Sequence, residues 1–108
     1  MTDPELVYAQ IVSRLTARPG VKAGKMFGMP TLMVNGKAFA GMHNVEMVFK
    51  LEGQAHARAL SMEGAGLFDP SGRGRPMREW VQLSAVHASE WPALAEASCD
   101  YVARQLPT

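Results

Sequence analysis

Cysteine is almost missing from this chain. Cys99 is the only one in 108 residues, so no internal disulfide forms and no cysteine zinc cluster can be assembled. A reducing compartment is the setting this predicts. Long apolar runs are missing too: none approaches the roughly 20 residues that span a bilayer. The opening MTDPELVYAQ lacks the basic start and apolar run of a signal peptide. The expectation is a cytoplasmic protein with no membrane association. An excess of one charge is also absent. A formal net charge of +1 provides no general attraction for nucleic acid or anionic lipid, and leaves only a local basic patch to serve such a partner.

Branched and aromatic core residues are sparse. Val, Ile, Leu and Phe supply 23 of the 108 residues, close to the level of about 20% below which strongly charged chains stay disordered. With so little net charge the chain reads as folded. Its eight methionines supplement the core, since Met is flexible and fills irregular gaps. A chain of this length buries one core, so residues 1–108 read as a single domain.

Local signals divide the chain into helices and strands. Asp3 is placed to cap a helix with Pro4 at its first position, and Thr2 with Glu5 offers an alternative capping box. Val7, Ile11 and Leu15 recur every four residues, which predicts an amphipathic helix that Arg18-Pro19-Gly20 stops. From Val21 to Leu51 the period changes to two. Residues 21–27 read as a weak strand bearing lysines. TLMV and KAFAGM flank Asn35-Gly36, a type I′ hairpin signal that sets Val34 opposite Lys37 and Leu32 opposite Phe39. In EMVFKL, Met47, Phe49 and Leu51 share one face, while Glu46, Val48 and Lys50 share a wetter one. A short helix over about 53–62 follows, ended by EGAG, then a loop LFDPSGRGRP and a strand MREWVQLS. The last helix is predicted to start at Ser89, burying Trp91, Leu94, Ala95, Ser98, Val102 and Leu106. The fold class is α+β: a two-layer domain with an antiparallel sheet and helices on one face.

KMFG before a hairpin, VNGKAFAG, EMVFKL, GRGRPM-x-EWV and a final helix ending in LP together resemble the TfoX/Sxy-type N-terminal domain. The resemblance runs from about Tyr8 to Leu106 and implies the order α-β3-α-β2-α. It also implies kinship with bacterial regulators of competence, which pair this domain with a helical C-terminal one that has no counterpart in these 108 residues. It carries no catalytic residues to transfer. The chain has FGMP where the family commonly has FGG, and Pro30 pushes Met29 toward an extended backbone.

The candidate sites are few. The methionines at 26, 29, 33 and 42 read first as core. A second reading makes them an adaptable binding surface, which requires them on the open sheet face. His43, His56 and His87 fall in three different elements without a second ligand at metal spacing, so no metal and no cofactor is expected. Cys99 reads as a buried, inert thiol. The serines lack a G-x-S-x-G context, and the glycines of GAGLFDPSGRG lack phosphate-loop spacing. One cluster stands out: Arg73, Arg75 and Arg78, where Gly72 and Gly74 free the backbone. Such a loop suits bidentate contacts to phosphate or carboxylate, with Trp80 placed to stack and Lys25 or Lys50 to add charge.

The leading expectation is a non-enzymatic binding or regulatory module with a protein partner. The alternative is an anion- or nucleotide-binding domain using the Arg-rich loop 72–78. Homodimerisation is expected to use the open sheet face, through Val48 and some of the methionines. An enzyme with dispersed catalytic residues is the third reading.

Overall fold

The computed structural model of the chain describes residues 3–26, 28–70 and 72–105. Helix α1 spans Pro4–Leu15. The Asp3 carboxylate accepts the Glu5 and Leu6 amides, so it takes up donors that the first helical turn leaves without carbonyl partners. Thr2 lies outside the described residues. Tyr8, Ile11 and Leu15 are buried, as their spacing predicts.

Four strands follow: β1 (Val21–Met26), β2 (Met29–Val34), β3 (Lys37–His43) and β4 (Glu46–Lys50). After α2 (Gly53–Leu60) come β5 (Gly66–Phe68), β6 (Met77–Leu83), a 3₁₀ turn at Ala85–His87 and α3 (Trp91–Arg104). The six strands form one antiparallel sheet in the order β1-β2-β3-β4-β6-β5. The run before α2 therefore holds one strand more than the α-β3-α-β2-α order, because the lysine-bearing segment 21–26 pairs along its whole length with β2. β5 is short and lies inside what reads in sequence as the start of a loop.

The β2–β3 hairpin has the expected turn: Asn35 and Gly36 both have positive φ, 52° and 81°. Val34 faces Lys37, but Leu32 faces Ala40 rather than Phe39. A register shift between Leu32 and Met33 leaves Phe39 as the extra residue of a bulge. The bulge lets Phe39 and Ala40 both enter the main core, which a regular ladder forbids.

All three helices contribute to that core. α3 lies over β2, β3 and β4, α1 packs against α3, and α2 packs against β6 and α3. α3 begins at Trp91, after Glu90 rather than Ser89, because Ala85–His87 winds as a 3₁₀ turn first. α3 buries Trp91, Leu94, Ala95, Ser98, Cys99 and Val102; Leu106 lies outside the described residues. Among the described residues no helix is long and apolar enough to cross a membrane.

The second face of the sheet differs from the expectation. Val48 is not wet but fully buried. It joins Met29 and Phe68 in a separate cluster against which Met77 and Trp80 pack, and no helical residue belongs to that cluster. Met29 and Phe68 come from strands distant in sequence, so alternation within EMVFKL alone misplaces Val48.

Candidate functional site

The face that the helices leave uncovered carries a groove of about 450 Å³. Its residues come from both ends of β2. Met26 and Met29 flank the β1–β2 turn, while Gly36 and Lys37 belong to the β2–β3 turn. Six residues of strand separate those turns, about 20 Å of run. Thr31 and Ala38 line the floor, and Phe68, Met77, Trp80 and Lys50 form the far wall.

The sequence accounts for each position. Met26, Met29 and Thr31 fall on this face through strict β1–β2 register. The Thr31 hydroxyl is occupied: it donates to the Met29 carbonyl at 3.0 Å. Lys50 stands opposite Trp80 in the β4–β6 ladder. Its ammonium is 3.9 Å from Glu79 Oε1, and its side chain is 24% exposed. Glu79 also accepts the hydroxyl of Tyr101, a residue of α3. That hydrogen bond and burial push the Tyr101 phenol up to about 12. So Glu79 is held by α3, and it offers Lys50 a partner at ion-pair distance without closing on it.

Of the sequence-predicted residues, the structure brings Trp80, half-buried, together with Lys50, Met26 and Met29 into the groove, while Met33 and Met42 do not line it. Arg73, Arg75 and Arg78 are exposed and do not line it. Lys25 is exposed on β1, four strand spacings from β6, about 19 Å. The Arg-loop backbone is already engaged: the Asp69 carboxylate accepts the Gly72 amide at 3.1 Å and the Gly74 amide at 2.9 Å. An external anion at these amides therefore competes with an internal one.

The histidines stay apart. His56 Nε2 meets the Arg78 carbonyl oxygen at 2.8 Å and His87 Nε2 meets that of Glu63 at 2.7 Å. The His43 ring packs against Phe68, with centroids 5.3 Å apart. Among the described residues no group of three His, Cys, Asp or Glu could hold a metal ion. Cys99 is buried, and burial raises its thiol pKa although Arg18 pulls the other way.

Sequence reasoning missed Phe68 and Met77 as site residues and placed Val48 on an open surface. The available signal was compositional: methionines in β1 and β2, and Met77 and Trp80 three residues apart at the start of β6. The chain matches no protein-family model, no curated protein and no solved structure.

Proposed function

We propose that this chain is a non-enzymatic binding module of the regulatory kind, and that it holds an extended segment of a partner protein in the groove between Met29 and Trp80. The observation that carries the reading is the second apolar cluster, Met29, Val48 and Phe68, gathered on the sheet face that no helix covers. A small domain with few branched residues has spent several apolar side chains outside its main core. Methionine and aromatic walls suit recognition of another protein, since thioethers adapt to varied shapes and aromatics anchor interfaces.

The charge in the groove specifies the partner further. Lys37 and Lys50 are its ionisable residues, so the fitting segment carries an apolar or aromatic residue followed by a carboxylate. The length of the groove matches about six extended residues. The resemblance of KMFG, VNGKAFAG and GRGRPM-x-EWV to TfoX/Sxy N-terminal domains supports a regulatory role in the cytoplasm.

Selection of displayed random peptides on the intact domain and on Trp80→Ala tests this. Peptides selected on the intact domain should share an aromatic or aliphatic residue next to Asp or Glu and should not bind the variant. Their binding should weaken only modestly between low and moderate salt, because salt screens the carboxylate contact to Lys37 and Lys50 but not the apolar contacts. Equal binding to Trp80→Ala overturns the assignment of the groove.

A further inference from the structure

β1 forms one edge of the sheet. All six of its residues pair with β2, and no described strand pairs with its other side. Every second residue of such an edge turns its N–H and C=O outward. Lys22, Ala23, Lys25 and Met26 are exposed, and no helix packs extensively on the strand. The opposite edge, β5, is only three residues long and is irregular.

The charge around β1 is one-sided. Residues 6–45 contain no Asp or Glu but carry Arg14, Arg18, Lys22, Lys25 and Lys37. The fold supplies partners for three of these five. Arg14 and Arg18 reach Glu96, Arg18 also reaches Asp100, and Lys37 donates to the Gln105 carbonyl. Among the described residues Lys22 and Lys25 have no carboxylate partner.

We propose that β1 is a docking edge for an extended acidic segment of a partner protein, which adds as a seventh strand and carries carboxylates at positions i and i+3. The two lysines choose the occupant. A second copy pairing antiparallel in full register sets Lys22 opposite Lys25 twice, and like charges directly opposite destabilise a ladder. Lysines on an edge keep neutral strands from adding, but the same lysines attract an acidic one. Alternation puts Lys22 and Lys25 on opposite faces of the sheet. Carboxylates at i and i+3 meet both; a spacing of i and i+2 leaves one lysine unanswered. A nucleic acid cannot use the outward backbone groups as a ladder, so the fit is to a polypeptide.

The test is a titration of the ¹⁵N-labelled protein with two short peptides of equal composition, one with Glu at i and i+3 and one at i and i+2. The i, i+3 peptide should shift the amides of 21–26, slow hydrogen exchange at alternate ones, and bind about threefold tighter than the other. Lys22→Glu/Lys25→Glu should lose about tenfold for this peptide and accept one with Lys at i and i+3. If that variant unfolds, Lys22→Gln/Lys25→Gln should still lose the spacing preference. Trp80→Ala should bind as the unaltered protein does, which separates this edge from the groove. Equal binding of the two spacings, no protection of 21–26 at millimolar peptide, or tighter binding of a short oligonucleotide at the same amides overturns the proposal.

Discussion

Met29 lies across the bare backbone of Gly41. A Cβ built on Gly41 would stand 2.7 Å from Met29 Cε and 2.9 Å from the Pro30 carbonyl oxygen. The first contact is with the end of a flexible side chain and can be relieved; the second is with backbone and cannot yield as cheaply. Gly41→Ala should therefore destabilise by about 1–3 kcal/mol, the usual range for overpacking. It should also tilt Met29 into the groove and weaken any ligand bound there. Urea unfolding of the variant measures the first effect, and an unchanged midpoint contradicts the packing described.

Gly36 presents the opposite situation. Nothing lies within 4 Å of the place a Cβ would take, yet its φ is +81°. The cost of a substitution is then conformational alone. Gly36→Val should lose about 1–3 kcal/mol, since a β-branched residue resists the left-handed region. Gly36→Asn should lose much less. Thermal unfolding of the pair distinguishes backbone strain from packing: similar losses in both variants would argue against a type I′ turn.

Two tyrosines set the alkaline limit of stability. Burial pushes the Tyr8 phenol up to about 12, and the hydrogen bond to Glu79 does the same for Tyr101. Between pH 10 and about 12 the unfolded chain loses these protons while the folded chain keeps them. The unfolded state then binds fewer protons, so stability falls as pH rises through this window and is fully present below pH 10. Tyr101→Phe should flatten part of the fall. Absorbance near 295 nm follows the titration directly; full tyrosinate formation by pH 10.5 in the folded protein would contradict both environments.

The Arg loop yields a negative expectation. With Gly72 and Gly74 donating to Asp69, and Arg73, Arg75 and Arg78 outside the groove, Arg73→Ala/Arg75→Ala should leave the affinity for ATP and for a short oligonucleotide unchanged at low salt. A steep, salt-dependent loss in the double variant would instead establish the loop as an anion site.

Much of this architecture was legible from residues near one another in the chain. Asp3-Pro4 marks a helix start, Asn35-Gly36 a hairpin, and EMVFKL a strand with Met47, Phe49 and Leu51 turned inward; each signal is local, and each holds. Other features depend on partners distant in sequence. The bulge at Phe39 arises because Leu32 pairs with Ala40. Val48 is buried because Met29 and Phe68 close over it. β5 is three residues of Gly-Leu-Phe that become a strand only beside β6. The groove was hidden for the same reason. Lys50 and Trp80 are opposite each other in space but separated in sequence by α2, β5 and a loop.

The central claim is that a partner segment lies in the groove lined by Met26, Met29, Met77 and Trp80. Methyl NMR of the ¹³C-methionine-labelled protein tests it most directly, because the methionines report from both faces of the sheet. On addition of a peptide selected by the intact domain, the methyls of Met26, Met29 and Met77 should shift, while those of Met42 and Met47, buried in the main core, should stay in place. Shifts confined to Met42 and Met47, or none at Met29 and Met77 under saturating peptide, would contradict the account.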